Sequence, residues 1–410
     1  MAVTPPMMIA FTNWQQAQVF AVPIEEDPQV ERIVKQYLED LQKKGYNINQ
    51  QEIWIQSQWA ELANIKSDIP VSAASLTKIA TTLAAVNKFD LDHRFVTEIG
   101  RTGDVANGVL QGDLVITGQG DPLFTWEEGI SLANTLEKLG IRKIQGNLVI
   151  VNNFSMNFQK DPKISGETLK KSFNWHLWPT HLLKKDIKLS KINKSSKPTL
   201  AIQGKVIAVA QPLVGVSPVL RHQSLSLREI IKQMNIHSNN NIAQSLCDSV
   251  GGAAVVVQTA KDLAQIPPDQ IHLENGSGLG VNNRISPRAI TQIWMTLENL
   301  LAKRSSKIAE LFPVSGVDHQ GTLSIRHIPA GVTLKTGTLN EVSTLAGVIP
   351  TRERGPVWFT ILNHGSRINQ LRHEQDLLLQ KLSKHWQFEL DPSLKSVKPF
   401  LGDPTRNSLI

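Results

Sequence analysis

The chain has 410 residues, of which 41% are apolar, so it is long enough to bury one large hydrophobic core and a smaller one. Its single cysteine, Cys247, excludes an intrachain disulfide and any cysteine-based zinc site. The net charge of +7 is concentrated between Lys160 and Lys205, where eleven lysines, no arginine and three acids occur. Because a lysine-rich stretch without arginine is poorly suited to recognising bases, we favour a solvated surface over attraction to an anionic wall polymer, and we expect no nucleic-acid partner.

The first predicted element is an amphipathic helix over residues 28–44. Apolar residues recur there at helical spacing, and they are Val30, Ile33, Val34, Tyr37, Leu38 and Leu41. The segment 52–56 is short and rich in strand formers, so it is predicted to be a strand.

A second helix is predicted to open with Ser75-Leu76-Thr77-Lys78, since the apolar positions that follow keep helical spacing. Residues three apart on a helix are neighbours, so the Lys78 amine is expected beside the Ser75 hydroxyl. Backbone N–H groups at the start of the helix would favour a negative charge that develops near Ser75. A Ser-x-x-Lys pair is common by chance, yet Ser75 is the only serine of the chain that begins one.

The stretch from 102 to 206 has its own turn signals and is predicted to be a β-rich insertion. These signals include Gly112-Asp113, the turn Gly118-Gln119-Gly120-Asp121-Pro122 and a hairpin-like segment over 140–151.

Three Ser-x-Asn triplets follow, and they begin at Ser155, Ser172 and Ser238. Only Ser238-Asn239-Asn240 both follows a helical zone, which starts at Ser226, and opens another helical run. For the other two copies we expect ordinary loop roles.

Near the C-terminus, three strands are predicted over 332–340, 344–349 and 357–363, followed by a helix over 368–386. Together with the first helix and strand they are expected to form one layer of helices on an antiparallel sheet. The first of these strands contains Lys335-Thr336-Gly337-Thr338. Gly337 permits close approach of another chain, and a free strand edge beside a lysine can bind an extended peptide with a carboxylate. In isolation, an exposed lysine on an edge strand is the simpler explanation.

Ser-x-x-Lys, Ser-x-Asn and Lys-Thr-Gly stand here in the order typical of β-lactamases and penicillin-binding proteins. Their flanks add further matches, namely Ala73-Ala74 before Ser75, the Gly118 to Pro122 turn, Asn275-Gly276-Ser277-Gly278-Leu279, Gly321-Thr322-Leu323 and Val342-Ser343. With these segments the chain resembles the class C low-molecular-mass penicillin-binding proteins, the D-alanyl-D-alanine carboxypeptidase/endopeptidase family, from about Pro28 to Trp386.

The resemblance implies an α+β fold. It consists of a penicillin-recognising, transpeptidase-like domain, with an antiparallel sheet flanked by helices, and a β-rich insertion domain. The expected division places the transpeptidase-like domain in 22–101 and 207–390, the insertion domain in 102–206 and a C-terminal tail in 391–410.

The resemblance also implies that Ser75 attacks the D-Ala-D-Ala carbonyl with Lys78 as general base. A free lysine has a pKa of about 10.4, so burial or a like charge must lower it before the amine accepts a proton near neutral pH. Lys335 is the expected like charge. Ser238 would relay the proton to the leaving D-Ala, and water would then hydrolyse the acyl-enzyme.

Substrate binding is implied for a second group of residues. Asn240 would hold the substrate amide, and Lys335 with Thr336 would bind the terminal carboxylate beside Gly337. The backbone N–H groups of Ser75 and Thr338 would form the oxyanion hole. No cofactor and no metal are expected, and the implied partners are peptidoglycan stem peptides and β-lactam antibiotics.

Two positions bear on side-chain preference. Asp121 resembles the acid that in this family meets the amino group of a diaminopimelate side chain, although an aspartate in such a turn also stabilises the turn itself. After Gly278-Leu279 many relatives carry a serine and a basic residue, whereas this chain has Gly280-Val281, so the preferred substrate side chain is expected to differ.

Two other functions are weighed against this one. A serine β-lactamase would need a dedicated deacylating group, and Glu274-Asn275 belongs instead to the Gly-Ser-Gly turn. A non-catalytic cell-wall-binding homologue is the alternative from another class, although every motif residue is intact. A metalloenzyme is disfavoured because no histidine belongs to a His-Glu-x-x-His motif.

The expected location is the periplasm, where the substrate is found. No run of 18 apolar residues predicts a transmembrane segment. The apolar segment Met7-Met8-Ile9-Ala10-Phe11 lacks a basic leader and does not form a complete secretory signal, so we expect a leader that is missing, shortened or unusual.

Overall fold

The computed structural model describes residues 27–180, 197–396 and 398–410. The apolar segment 7–11 and the lysines between 181 and 196 lie outside the described residues. Within the described ranges, no helix is both long enough and apolar enough to cross a membrane.

Nine α-helices lie in the described part of the chain, and in order they are α1 (Pro28–Lys43), α2 (Thr77–Lys88), α3 (Trp126–Lys138), α4 (Pro162–Ser172), α5 (Leu227–His237), α6 (Asn240–Val250), α7 (Ala253–Ala264), α8 (Pro287–Ala302) and α9 (Ile368–Trp386). The predicted first helix is confirmed as α1. It begins where the Asp27 side chain accepts from the N–H groups of Gln29 and Val30, and Pro28 occupies its first position.

The strands of the same ranges are β1 (Gln51–Gln56), β2 (Glu61–Ile65), β3 (Val71–Ser72), β4 (Arg94–Arg101), β5 (Val105–Ala106), β6 (Val109–Leu110), β7 (Leu114–Gln119), β8 (Lys143–Ile144), β9 (Leu148–Asn153), β10 (Ala201–Ile202), β11 (Val206–Val209), β12 (Ser217–Ser226), β13 (Ile271–His272), β14 (Arg284–Ile285), β15 (Thr333–Leu339), β16 (Val342–Thr351), β17 (Gly355–His364) and β18 (Asn407–Leu409).

The central layer is a five-stranded antiparallel sheet in the order β15-β16-β17-β1-β2. Successive side chains of a strand point to opposite faces, so each strand contributes to two cores. Leu345 and Phe359 pack with α1 and α9 on one face, whereas Ala346 and Trp358 pack with α2 and α8 on the other. The predicted α+β architecture is confirmed, and it leaves β15, which carries Lys335, at one edge of the sheet.

A second sheet has six strands in the order β11-β9-β7-β4-β12-β18, and α3 and α4 cover its core. The predicted hairpin over 140–151 is wrong. Strand β8 pairs in parallel with β6 and β10, whereas β9 pairs in parallel with β7 and β11 in the other sheet. Parallel neighbours need a crossover connection, which α3 supplies between β7 and β9.

This second sheet also contains β4, β12 and β18, which fall outside the segment 102–206. The sheet thus continues across both expected boundaries and does not mark either of them. The division of the chain at 102 and 206 stays a prediction. The segment predicted to be a C-terminal tail contributes β18, which pairs antiparallel with β12.

A buried ion pair fastens this C-terminal segment to α3. The Arg406 guanidinium lies 2.5 Å from Glu128, and the two side chains are only 9% and 1% exposed. Burial raises the pKa of Glu128 and the charge of Arg406 opposes that rise. Loss of Arg406 would therefore leave a buried carboxyl group without its counter-charge.

We expect Arg406→Met to lower the free energy of unfolding by about 3–5 kcal/mol, the usual effect of breaking a buried pair. Urea unfolding measures this change. The matched control is Arg221→Met, because Arg221 pairs with Glu98 at 3.3 Å with side chains 45% and 43% exposed, and such surface pairs contribute about 1 kcal/mol at most. If both variants lose the same stability, the buried pair does not hold the C-terminal segment.

Candidate active site

Ser75 lies in a single 3₁₀ turn, Ala74–Leu76, that leads directly into α2. Ala74 has a positive φ of 46°, a conformation that costs energy in residues other than glycine. Gly278 packs against this turn so closely that a Cβ there would lie 1.8 Å from the Ala74 carbonyl oxygen. The surrounding chain therefore holds the Ser75 turn in a strained conformation.

The Lys78 amine has three hydrogen-bond partners. Its Nζ lies 2.9 Å from Ser75 Oγ, 2.8 Å from Asn240 Oδ1 and 2.7 Å from the Ser277 carbonyl oxygen. An amide oxygen and a carbonyl oxygen can only accept, so a neutral Lys78 donates its two N–H groups to Asn240 and Ser277. The lone pair of the amine is then left for the hydroxyl proton of Ser75.

Burial sets the basicity of Lys78. The side chain is 0% exposed, and this burial lowers its pKa from the usual 10.5 to about 7. From the sequence we expected burial or the like charge of Lys335 to cause this shift, and burial is the cause in the structure. For Lys335, burial and then the charge of Lys78 hold the pKa well below its usual value.

The rate of acylation is expected to rise with pH and level off above about 7, since only the neutral form of Lys78 accepts the Ser75 proton and its pKa is about 7. Below that pH the rate falls as the amine becomes protonated. The second-order rate constant for a fluorescent penicillin, measured between about pH 5 and pH 10, gives the profile. A rate that keeps rising towards pH 10 would show that Lys78 titrates like an exposed lysine.

Ser238 occupies the corner between α5 and α6. It ends α5 with φ 51° and ψ 40°, and the Asn239 side chain then caps the start of α6. This corner faces β15, where Lys335 Nζ lies 2.9 Å from Ser238 Oγ and 2.6 Å from the Thr336 carbonyl oxygen. The structure thus brings the second and third motifs into contact.

The other two Ser-x-Asn copies bond elsewhere. Ser155 Oγ donates to the Asp121 carbonyl oxygen at 3.3 Å, and Ser172 Oγ donates to the Leu169 carbonyl oxygen at 2.7 Å. Ser155 thus lies outside the helices and strands, as expected for it. Ser172 is instead the last residue of α4 and bonds within that helix rather than in a loop.

Gly337 brings the edge strand β15 against the Ser75 turn. A Cβ at this position would lie 2.9 Å from the Ser75 backbone nitrogen and 2.2 Å from Thr344 Oγ1. Only glycine therefore allows this approach without a shift of the strand. Thr338 is the next residue along β15.

A tight turn supplies the third partner of Lys78, and we did not expect it from the sequence. Asn275 Oδ1 accepts from the backbone N–H groups of Ser277 and Gly278, at 3.1 and 2.9 Å. Asn283 Oδ1 accepts from the N–H groups of Glu274 and Asn275, at 3.0 and 3.1 Å. These bonds fix the Ser277 carbonyl group. A backbone acceptor has no residue-type signature, so only the flanking Gly-Ser-Gly match pointed to this segment.

Asp121 lies in its turn rather than among the bonds of the cluster. The side chain is 5% exposed, accepts from the Leu123 N–H at 2.8 Å, and burial raises its pKa to about 7. This geometry is that of a turn-stabilising aspartate. Its recognition of a substrate amino group stays a prediction.

The assembled cluster has the parts that acyl transfer requires. A serine hydroxyl touches an amine with a lowered pKa, a second hydroxyl touches a second amine, and a strand edge runs past both. Three distant parts of the chain thus bring together the groups that would serve as nucleophile, base and proton relay.

Comparisons with known proteins agree with this chemistry. The profile of the D-Ala-D-Ala carboxypeptidase 3 (S13) family matches residues 30–174 and 188–384. The D-alanyl-D-alanine carboxypeptidase DacB of Haemophilus influenzae is 24% identical, with 75% of this chain and 82% of the relative covered. Carboxypeptidase DacB of Mycolicibacterium smegmatis is also 24% identical, over 75% of this chain and 74% of the relative.

Solved structures show the same fold. The penicillin G-acylated predatory endopeptidase of Bdellovibrio bacteriovorus superposes with a TM-score of 0.75 at 24% identity, covering 88% of this chain and 99% of that one. Penicillin binding protein 4 of H. influenzae superposes with a TM-score of 0.63 at 20% identity, covering 85% of this chain and 99% of that one. The predicted fold class is confirmed. Since the family profile matches most of its length, the chain belongs to the D-Ala-D-Ala carboxypeptidase 3 (S13) family and is a serine-type D-Ala-D-Ala carboxypeptidase, as its sequence predicted.

Proposed function

We propose that the chain hydrolyses D-Ala-D-Ala peptides of peptidoglycan through a covalent intermediate on Ser75. The observation that supports this most is the bonding of Lys78, whose two acceptor-only partners leave its lone pair for the Ser75 hydroxyl. Few arrangements other than a nucleophile and its base need a fully buried lysine with a pKa of about 7.

The reaction begins when Ser75 Oγ attacks the carbonyl carbon of the penultimate D-Ala and its proton passes to Lys78 Nζ. The backbone N–H groups of Ser75 and Thr338 stabilise the oxyanion that forms. Collapse of this intermediate breaks the C–N bond. Ser238 gives its proton to the departing amine and takes in exchange the proton that Lys78 received from Ser75, so both groups return to their starting state. Water then attacks the ester carbonyl and releases the shortened peptide and free Ser75.

Three side chains orient the substrate in this scheme. Asn240 Oδ1 accepts from Lys78, so its Nδ2 remains to donate to the carbonyl of the substrate amide. Lys335 and Thr336 lie at the strand edge that an extended peptide can pair with, where they meet the terminal carboxylate. Asp121 would recognise an amino group of the substrate side chain.

Penicillins are proposed to acylate Ser75 as substrate analogues. The structure offers little support for rapid deacylation by a glutamate, since Glu274 accepts from Asn282 Nδ2 at 2.8 Å and Asn275 is bonded within its own turn. We therefore favour a peptidase that penicillins block over a β-lactamase.

The test uses two substrates, a stem pentapeptide ending in D-Ala-D-Ala and a cross-linked peptide dimer. Release of D-Ala from the first and of monomers from the second, each followed by chromatography, measures carboxypeptidase and endopeptidase activity. We expect wild-type protein to cleave at least one. Failure to cleave either would contradict the proposal.

We further propose that the protein acts in the periplasm, where its substrate is found. Fractionation of the native cells tests this location. Recovery of the protein with periplasmic markers is expected, and recovery with cytosolic markers alone would contradict it.

A further inference from the structure

The guanidinium of Arg372 lies against β15 beside the third motif, and nothing in the motifs pointed to it. Arg372 belongs to α9, and its Nη2 donates to Thr338 Oγ1 at 2.8 Å. Thr338 follows Gly337, at which a Cβ would lie 2.9 Å from the Ser75 backbone nitrogen. The guanidinium therefore contacts β15 one residue beyond the point where this strand meets the Ser75 turn.

Arg372 has only neutral hydrogen-bond partners in the described ranges. Besides Thr338, its Nη1 donates to Asn369 Oδ1 at 3.1 Å. The nearby charged groups are Arg326 and Asp376, which bond to each other at 2.7 Å with side chains 3% and 4% exposed. Within the described part of the chain, no carboxylate comes within ion-pair distance of Arg372. Its charge is thus uncompensated by any direct ion pair.

The position of the Arg372 guanidinium costs desolvation energy. Burial, followed by the charge of Arg326, lowers the pKa of Arg372, while Asp376 opposes that shift. A guanidinium nevertheless remains protonated in proteins. A half-buried cation with neutral partners is well suited to an anion that arrives from solution, because several of its N–H donors remain unused.

A row of hydroxyl groups leads from Arg372 along the same strand. Thr336 and Thr338 are two residues apart and therefore share one face of β15. Thr338 accepts from Arg372, and Thr336 Oγ1 donates to Thr322 Oγ1 at 2.8 Å. Thr322 stands in the turn Gly321–Leu323, which packs on α5. Hydroxyl groups rotate freely enough to donate to a carboxylate placed between them.

The Lys335 amine already has two partners at this place. Its Nζ donates to Ser238 Oγ and to the Thr336 carbonyl oxygen. A carboxylate bound at this strand edge would therefore find at most one free N–H donor on Lys335. Arg372 is the permanent positive charge nearby.

On the basis of the function proposed above, we propose that Arg372 recognises the terminal carboxylate of the substrate, or the equivalent carboxylate of a penicillin, at Thr338. Arg372 is then a specificity-determining residue for the reaction at Ser75. It acts together with the hydroxyl groups of Thr322 and Thr336.

The test compares two probes, benzylpenicillin and its methyl ester, which differ in the carboxylate. In Arg372→Met the second-order rate constant for acylation by benzylpenicillin is expected to fall about 10- to 100-fold, the usual effect of losing a hydrogen bond to a charged group. The rate with the methyl ester should stay at its wild-type value. Arg372→Lys keeps the charge without the forked donors. Its rate constant with benzylpenicillin should therefore lie between those of wild type and Arg372→Met.

His373→Ala is the matched control, because His373 is the next residue of α9 and is exposed. It should change neither rate. An equal loss with both probes in Arg372→Met would mean a purely structural role, and no loss with either would remove Arg372 from recognition; both results overturn the inference. Wild-type protein that neither probe acylates would instead overturn the proposed function, and the inference would fall with it.

Discussion

Ser75→Ala is expected to lower the rate of D-Ala release from a stem pentapeptide by on the order of 10⁶-fold, the scale seen when a serine nucleophile is removed. The reason is that no other hydroxyl group contacts the Lys78 amine among the hydrogen bonds of the described residues. The fold should survive, because alanine fits wherever the serine side chain does. Chromatography of released D-Ala measures the effect, and circular dichroism checks the fold.

Ser172→Ala is the control for this experiment. Ser172 begins a Ser-x-Asn copy whose hydroxyl donates to the Leu169 carbonyl oxygen at 2.7 Å, away from Lys78. It should keep full activity. A folded Ser75→Ala protein that still releases D-Ala at the wild-type rate would show that the nucleophile is another residue.

Lys78→Met is expected to lower the acylation rate by roughly 10²- to 10⁴-fold, the usual contribution of a general base. Methionine has a similar length and suits a buried site, so the hydroxyl of Ser75 stays in place while the lone pair that accepts its proton is lost. The rise of the rate through pH 7 should disappear as well, because the group with a pKa of about 7 is gone. Stopped-flow acylation by a fluorescent penicillin measures both effects.

Lys88→Met is the matched control, since Lys88 ends the same helix and its Nζ bonds to the Ser249 carbonyl oxygen at 2.9 Å near the surface. It should leave the rate and the pH profile unchanged. If Lys78→Met keeps the rise through pH 7, another group acts as the base.

The two ends of the fold were predictable because their signals are local. Apolar spacing alone placed α1 and α9, and runs of strand formers placed β15, β16 and β17. The segment 140–151 misled because a turn between two apolar runs also occurs where two strands leave for different sheets. Local sequence does not determine with which other strand a strand pairs.

The candidate site was predictable as far as it depends on side-chain types in motifs. Hydrogen bonds of 2.8 to 2.9 Å join Lys78 to Ser75 and Asn240. A bond of 2.9 Å joins Lys335 to Ser238. The remaining parts carried no such signal. The Ser277 carbonyl is a backbone group, and Arg372 is one arginine of a helix whose spacing only indicates an exposed face. Their roles come from tertiary packing.

The most direct test of the central claim is the intact mass of the protein after incubation with benzylpenicillin. A β-lactam ring opens on attack without losing atoms, so acylation of one serine adds the full mass of the antibiotic. We predict this single addition for wild-type protein and none for Ser75→Ala. An adduct on both proteins, or on neither, would contradict the assignment of Ser75 as nucleophile.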